Sequence, residues 1–259
     1  MSHGLAVFVA HPDDDAFGIT ATVALHAADP GFRFTLVLVT SGEAGMISDP
    51  SLATRETLGR VREQEDRDAW RTVGREPDRH EFLRYPDGGV ADVPFEELVD
   101  RFIAILHEER PDVVVTFGPD GVTGHSDHIA VGAAASEAFR RVHDESGSAP
   151  RRLLHLCLSQ ERLERFNAEI VARGGEPIDP TQLFQPRGVD DSLVAVDVDG
   201  GPVWHRKLEA LLEHRTQADD MRLPEDLQQE ILSGETFTQA WPERAPGAPV
   251  LGDVFDGLG

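Results

Sequence analysis

Lysine and cysteine are almost missing from this 259-residue sequence, which has Lys207 and Cys157 as its only residues of those types. A single cysteine excludes an internal disulfide and a zinc site built from paired Cys-x-x-Cys motifs. Because Cys157 lies in an apolar run, we expect a buried thiol rather than a nucleophile. The shortage of basic residues leaves a formal net charge of −23. Such a surface repels phosphate backbones, so nucleic acid and anionic membranes are poor candidates for partners.

Long apolar runs are also missing. No segment approaches the roughly 20 apolar residues of a membrane helix, and residues 1–10 lack the basic start of a secretory signal. We therefore expect a cytoplasmic protein without a membrane span. The hydrophobic share of 40% is ordinary for a globular protein. The length suits one large α/β domain over residues 1–259, with an irregular tail from about residue 241.

Short apolar runs alternate with segments of helical spacing along the chain. The expected strands are 5–10, 33–40, 80–83, 113–117, 153–158 and 193–198. The expected helices follow residue 15 and cover 54–73, 95–107, 126–142, 161–172 and 203–217, the last with Leu208, Leu211 and Leu212 facing inward. This alternation predicts parallel pairing with right-handed crossovers. The fold class is therefore a doubly wound, mostly parallel α/β sheet.

Two polar segments carry the chemistry, and each comes directly after a predicted strand and before a predicted helix. The first is Ala10-His11-Pro12-Asp13-Asp14-Asp15, and the second is Gly124-His125-Ser126-Asp127-His128. In an open α/β sheet, sites form beyond the carboxyl ends of strands, where the strand order reverses. If the first strand and the strand at 113–117 are neighbours there, the two segments meet in one pocket.

The residue types in these segments are those of a hydrolytic zinc site. Such a site needs three imidazole or carboxylate ligands and an open position for water. His11, one aspartate of the first segment and one histidine of the second would supply the ligands, and a further carboxylate would accept the proton. An aspartate-rich turn before a helix is alone more often a helix cap. Two such segments, each after a strand, together favour metal-dependent hydrolysis.

These motifs resemble those of the PIG-L/LmbE-like zinc deacetylases, which include enzymes acting on N-acetylglucosaminyl lipids. Beside the two segments above, the shared motifs are Thr40-Ser41-Gly42-Glu43-Ala44-Gly45, Arg62 to Glu65, Tyr85 to Gly88, and His214 to Gln217. The resemblance extends roughly to residue 237. It implies a Rossmann-like fold and a zinc cofactor.

The resemblance also implies a role for each matched residue. His11, Asp14 and His128 would bind Zn²⁺, Asp13 would be the general base, His125 would protonate the leaving amine or steady the oxyanion, Asp127 would orient His125, and Arg62, Asp87 and Glu43 would contact the sugar. The sequence departs from the family pattern at two positions. Asp15 replaces the usual glutamate, and Thr123 stands where some thiol-pathway members have a tyrosine.

The preferred function is removal of an N-acyl group, with acetyl expected, from a small amino-sugar conjugate. Amidase action on a thiol S-conjugate stays open, since it would use the same zinc chemistry. A non-catalytic nucleotide binder would need Gly-x-Gly-x-x-Gly after the first strand, and His-Pro-Asp occupies that turn. A phosphoesterase would need more basic groups than the sequence has. The sequence leaves open whether the chain forms a homo-oligomer.

Overall fold

A computed structural model describes residues 3–147, 149–218 and 225–258 of the chain. The strands are β1 His3–Val9, β2 Phe32–Leu38, β3 Arg79–Phe82, β4 Val113–Phe117, β5 Arg152–Ser159, β6 Gly188–Val189, β7 Val194–Asp199 and β8 Gly234–Trp241. The helices are α1 Asp14–Gly18, α2 Thr20–His26, α3 Leu58–Val73, α4 Phe95–Glu109, α5 Gly121–Gly124, α6 Ser126–Ser146, α7 Gln160–Ala172, α8 Trp204–Glu213 and α9 Glu225–Leu232.

The main sheet has the order β3-β2-β1-β4-β5-β8-β7, and β6 pairs with the end of β5. All pairings from β3 through β5 are parallel, whereas β8 runs antiparallel to both β5 and β7. The prediction of a mostly parallel α/β sheet is confirmed. The chain moves outward from β1 to β2 and β3, then returns to place β4 on the other side of β1. The strand order thus reverses between β1 and β4, which is where a site is expected.

The core explains why these segments form central strands. Every residue from Leu5 to Ala10 is buried, as is every residue of β4. Strands covered on both faces read as continuous apolar runs. Helices α4 and α6 pack against each other and contact β1, while α3 and α8 form a second packed pair. The two carboxyl ends that matter for function are therefore held by a rigid apolar layer.

Two predicted helices have different bounds in the structure. The helix predicted from Thr54 begins at Leu58, because Thr54 and Thr57 form a turn in which the Thr54 amide donates to the Thr57 hydroxyl at 2.9 Å. The helix predicted at 203–217 ends at Glu213 and continues as a short 3-10 turn over Arg215–Gln217. Leu212 is 56% exposed, so the prediction that it faces inward is wrong, whereas Leu211 is buried.

The sequence prediction missed the strand β8 altogether. Its sequence mixes polar and apolar residues, and only Phe237 of its apolar side chains is fully buried. After Trp241 the described residues contain no helix or regular strand, as expected, but Val254 and Phe255 are buried against the core. Cys157 is only partly buried, and burial raises the pKa of its thiol to about 11, which fits an unreactive side chain. In the described part of the chain, no helix combines the length and apolar content needed to cross a bilayer.

Candidate metal centre

The turns after β1 and β4 bring His11, Asp14 and His128 together. His11 Nδ1 lies 3.2 Å from His128 Nε2, and His128 Nε2 lies 3.2 Å from Asp14 Oδ1. His11 Nδ1 lies 3.5 Å from Asp14 Oδ2. Ligands placed tetrahedrally about 2.0–2.1 Å from zinc are about 3.3 Å from one another. The three side chains therefore have the spacing of a zinc site, and all three are largely buried.

The outer nitrogen of each imidazole has its own partner. His128 Nδ1 donates to the Gly121 carbonyl oxygen at 3.0 Å, and His11 Nε2 donates to Asp87 Oδ1 at 3.0 Å. These bonds place the hydrogen on the outer nitrogen and leave a lone pair on the inner nitrogen of each ring. Two lone pairs and the carboxylate of Asp14 thus face one point in the interior, an arrangement that a bound cation stabilises.

The electric field at this point favours positive charge. Burial lowers the pKa of His11, but hydrogen bonds to Asp127, Asp14 and Asp87 outweigh it and raise that pKa well above its usual value. Burial raises the pKa of Asp14. The charges and hydrogen bonds of His128 and His11 outweigh burial and lower this pKa to well below its usual range. The carboxylates of Asp14, Asp87 and Asp127 therefore favour a positive charge at this point, and a bound metal ion would supply one.

A second group of ligand atoms, from His11, His125 and Asp127, also lies close together. Its members are already engaged elsewhere. Asp127 accepts backbone N–H bonds from Gly88 at 2.7 Å and from Val90 at 3.2 Å, and its own N–H donates to His125 Nδ1. The set of His11, Asp14 and His128 is therefore the better metal site.

Asp13 lies next to Asp14 in the chain but is not one of the three grouped ligands. Its backbone has φ of 116°, a conformation that a non-glycine residue adopts rarely and at a cost. This turn sends Asp14 towards the histidines and the Asp13 carboxylate towards Arg62, whose Nη2 donates to Asp13 Oδ2 at 2.8 Å. Burial raises the pKa of Asp13 to about 7, against the opposing charges of Arg62 and His11. The two adjacent carboxylates thus have separate environments.

The structure places Arg62 under Asp13 rather than in an open sugar site. Its side chain is only 5% exposed, and it also donates to the carbonyl oxygens of Gly42 and Pro12. A Cβ atom at Gly42 or Gly45 would come within 2.5 Å of the Arg62 guanidinium, so the glycines of this turn make room for it. In the structure Arg62 therefore contacts the Asp13 carboxylate, and the sugar contact expected from the sequence stays a prediction.

Asp87 and Asp127 both place a carboxylate oxygen near His11 Nε2. Asp87 uses one oxygen for His11 and the other for the Ala44 N–H at 2.8 Å, and its side chain is 7% exposed. Asp127 directs its carboxylate to His11 Nε2, 3.4 Å away, as well as to the backbone of the loop before α4. Asp127 was expected to orient His125, but its carboxylate is held by that loop. Both residues orient His11, a role that the sequence did not reveal.

Glu43 is the predicted substrate contact that keeps a free atom. Its Oε1 accepts the Asp87 N–H at 2.9 Å. Among the described residues its Oε2 has no hydrogen-bond partner, although it is buried. A buried carboxylate oxygen is rarely left unpaired, so this atom is suited to accept a hydrogen bond from a ligand. We call Glu43 and the adjoining Arg62 and Asp87 the polar recess.

Residues of the motif His214 to Gln217 form hydrogen bonds with α3 and with the loop that carries Glu43. Thr216 donates from its N–H and its hydroxyl to the Glu65 carboxylate at 2.8 and 2.7 Å. Gln217 Nε2 donates to the Met46 carbonyl oxygen at 2.8 Å, which holds the loop that carries Glu43. Asp15 is fully buried and accepts a 2.6 Å bond from Trp70 Nε1, so it anchors the first turn to α3.

His125 lies at the edge of the site. Its ring packs near those of His11 and His128, with centroid distances of 4.7 and 4.9 Å. Burial and the two neighbouring imidazoles lower the pKa of His125, while Asp127 opposes them. The ring is half-buried, and Phe184 covers one side of it. Its position beside the ligands, with one ring nitrogen bonded to the Asp127 N–H, suits proton transfer to a bound molecule.

Comparison with known proteins identifies the family of this site. Residues 6–139 match the PIG-L family, described as GlcNAc-PI de-N-acetylase. The chain belongs to this family. A 1D-myo-inositol 2-acetamido-2-deoxy-alpha-D-glucopyranoside deacetylase from Thermobifida fusca is 33% identical over 88% of this chain and 90% of its own length. The enzyme with the same name from Streptomyces scabiei is 31% identical over 100% of this chain and 90% of its own length.

A solved structure shows the same fold. The N,N'-diacetylchitobiose deacetylase from Pyrococcus horikoshii has a TM-score of 0.58, with 22% identity over 94% of this chain and 84% of its own. The resemblance to PIG-L/LmbE-like deacetylases is thus confirmed. The prediction of a hydrolase of the deacetylase class is confirmed with it.

Proposed function

We propose that this PIG-L family member removes an acetyl group from the nitrogen of a glucosamine-containing small molecule, with zinc held by His11, Asp14 and His128. The observation that carries the proposal is the spacing of the three ligand atoms, 3.2, 3.2 and 3.5 Å, with the outer nitrogens of both rings already bonded. The deacetylases of acetamido-sugar inositols that match almost the whole chain support the choice of substrate.

The donor set fits zinc in number, type and burial. Two imidazoles and one carboxylate leave a fourth position open, as hydrolytic zinc sites require. The ion would supply Lewis acidity, which polarises the amide carbonyl and lowers the pKa of water. Asp87 and the Gly121 carbonyl oxygen would hold the two imidazoles in the ligating tautomers.

The remaining side chains have separate tasks in amide hydrolysis. Asp13 accepts a proton from the attacking water, while Arg62 fixes its carboxylate. His125 delivers a proton to the departing nitrogen, so the products are acetate and the free amine. Glu43 Oε2, buried and without a described partner, accepts a hydrogen bond from a sugar hydroxyl. The polar recess thus binds the sugar through Glu43, whereas Arg62 and Asp87 maintain the catalytic geometry.

Three observations favour this function over the alternatives. The turn after β1 carries metal ligands where a nucleotide binder would carry glycines. The relatives that match the chain at 31 and 33% identity are named as deacetylases of an acetamido sugar rather than as amidases of thiol conjugates. Arg62, the basic side chain beside Asp13, already donates to Asp13, Gly42 and Pro12, so it is not free to bind a phosphate ester.

Incubation of the zinc-loaded protein with a panel of N-acetylated glucosamine conjugates tests the proposal. Mass spectrometry should show loss of an acetyl group from at least one conjugate, with release of acetate in equal amount. Chelation of the metal should stop the reaction, and added zinc should restore it. Bound zinc with no loss of acetyl from any conjugate would contradict the proposed reaction.

A further inference from the structure

An apolar cavity opens directly beside two of the three metal ligands. It has a volume of about 470 Å³, and Asp14 and His128 form part of its wall. Most of the remaining surface is apolar and includes Phe17, Leu156, Leu158, Phe166, Leu227 and Ile231. Cavities of roughly 300–1,000 Å³ bury whole small-molecule ligands, so the methyl group of an acetyl would fill only a small part of this one.

The arginine and lysine residues of the cavity wall each pair with a carboxylate. Lys207 Nζ lies 2.9 Å from Glu235 Oε1, and both side chains are almost fully buried. Arg165 pairs with Glu230 at 3.2 Å. Arg162 pairs with Asp197 at 2.7 Å. Because these cations and anions already have partners, the cavity offers a ligand apolar contact rather than a counter-ion.

The cavity borders Asp14 and His128 but not the residues proposed to meet the amine and the sugar. The proposed donor to the leaving amine, His125, is not part of the cavity wall, and neither is Glu43 of the polar recess. The cavity instead begins at Asp14 and His128. If the carbonyl group of a substrate amide lies beside Asp14 and His128 and its nitrogen faces His125, the carbon chain on the other side of the carbonyl would point into the cavity.

We propose that this cavity binds an apolar acyl chain longer than acetyl, so that the enzyme removes medium-length N-acyl groups from amino sugars as well as acetyl. This inference rests on the proposed amide hydrolysis. It adds the class of acyl group, a linear hydrocarbon chain, which the metal site alone does not specify. The reaction is the same: water adds to the carbonyl carbon, the C–N bond breaks, and a fatty carboxylate and an amine leave.

A series of glucosamines carrying N-acetyl, N-butanoyl, N-hexanoyl and N-octanoyl groups tests the proposal on the zinc-loaded enzyme. Burial of each methylene should raise kcat/KM by up to about fourfold until the cavity is filled. A kcat/KM that falls steadily from acetyl to octanoyl would overturn the acyl cavity while leaving the deacetylase function intact. Absence of hydrolysis for every amide, acetyl included, would overturn both.

Two tryptophan variants on neighbouring helices locate the effect. Ile231→Trp on α9 fills part of the cavity and should lower the octanoyl-to-acetyl ratio of kcat/KM by at least about tenfold. Leu212→Trp on α8 adds the same ring to a position that is 56% exposed and outside the cavity, so it should preserve the ratio. An unchanged ratio in folded Ile231→Trp would overturn the proposal. If this variant does not fold, the wild-type series decides the question.

The cavity could also receive an apolar group attached to the sugar. An N-acetylglucosamine with an octyl group at its anomeric oxygen distinguishes the two occupants. The acyl proposal predicts that this octyl group leaves kcat/KM insensitive to Ile231→Trp. A gain from the octyl glycoside that Ile231→Trp abolishes would show that the cavity takes the aglycone, and would overturn the acyl assignment.

Discussion

The two sides of the metal centre offer a ligand different kinds of contact. On the side of His11, the polar recess holds most of its side-chain oxygens and nitrogens in defined hydrogen bonds, and Glu43 Oε2 and Arg62 Nε are the buried atoms without a described partner. On the side of Asp14 and His128, the acyl cavity presents hydrocarbon, and its arginine and lysine residues each pair with a carboxylate. The recess can therefore set the geometry of reacting groups, whereas the cavity can select only by size and apolarity.

This difference predicts different losses when each region is altered. Variants of Asp13 and Asp87 should change metal affinity or the rate of the chemical step for every substrate, whereas a Glu43 variant should affect only substrates that carry the sugar. Cavity variants should change the preference among acyl groups. The four predictions that follow concern the ligands and the recess, in decreasing order of expected effect.

The largest effect is expected at the ligands themselves. His128→Ala removes one of three zinc donors and leaves Asp14 facing a single imidazole. Zinc affinity should fall by much more than the roughly 10–100-fold typical of an outer partner. Activity at equimolar zinc should be lost. Metal analysis after dialysis measures this directly, with His155→Ala, a histidine outside the cluster, as the control. Full zinc content in His128→Ala would show that the ligand is misassigned.

Asp13→Asn should produce the next largest loss. Asparagine keeps the shape and a bond to Arg62 but cannot accept the proton from water. General-base assistance is worth about 10²–10⁴-fold, so kcat should fall within that range while zinc stays bound. Asp14→Ala should instead lose zinc together with activity. The matched measurement is metal content beside kcat for both variants. Loss of zinc from Asp13→Asn, with retention in Asp14→Ala, would reverse the two roles.

The sequence predicted the fold and the members of this cluster for a clear physical reason. Each segment follows a strand that reads as a buried apolar run, and parallel strands bring their carboxyl ends to one edge. The residue types alone do not show which of Asp13 and Asp14 faces the histidines, because the directions of the two side chains depend on the positive φ of Asp13. A non-glycine residue rarely adopts that conformation, so the sequence gives no signal for it.

The roles of Arg62, Asp87 and Asp127 were harder to predict. Asp87 and Asp127 have partners that depend on how the loop at 85–90 folds over His11, which the sequence does not show. The acyl cavity was not predicted at all. Its wall includes residues of β8 and α9, and β8 has no strong apolar run to reveal it.

Asp87→Asn should give an intermediate loss. Asparagine can still accept a hydrogen bond from His11 Nε2. It lacks the negative charge that favours the tautomer of His11 in which Nδ1 can bind the metal. Burial raises the pKa of Asp87, but the bond to His11 outweighs it and lowers that pKa to about 2, so the carboxylate is charged at neutral pH. Zinc affinity or activity should fall about 10–100-fold. The loss should be equal for a sugar amide and for acetanilide, since the residue acts through His11. A loss confined to the sugar amide would restore Asp87 as a direct sugar contact.

Glu43→Gln should give the smallest effect and the most selective one. Glutamine preserves the side-chain length and the acceptor for the Asp87 N–H. It replaces the free oxygen with an amide NH2 group, which donates and cannot accept the hydrogen bond from a sugar hydroxyl. The expected cost is about tenfold in kcat/KM for the N-acetylglucosamine conjugate, with little change for acetanilide, which has no hydroxyl to donate. Zinc content should be the same as in the wild-type protein, so metal analysis separates this effect from damage to the ligands. The octanoyl-to-acetyl ratio should also persist, because Glu43 lies outside the acyl cavity. Equal losses on the sugar amide and acetanilide would mean that Glu43 supports the geometry of the recess through Asp87 instead of binding the sugar.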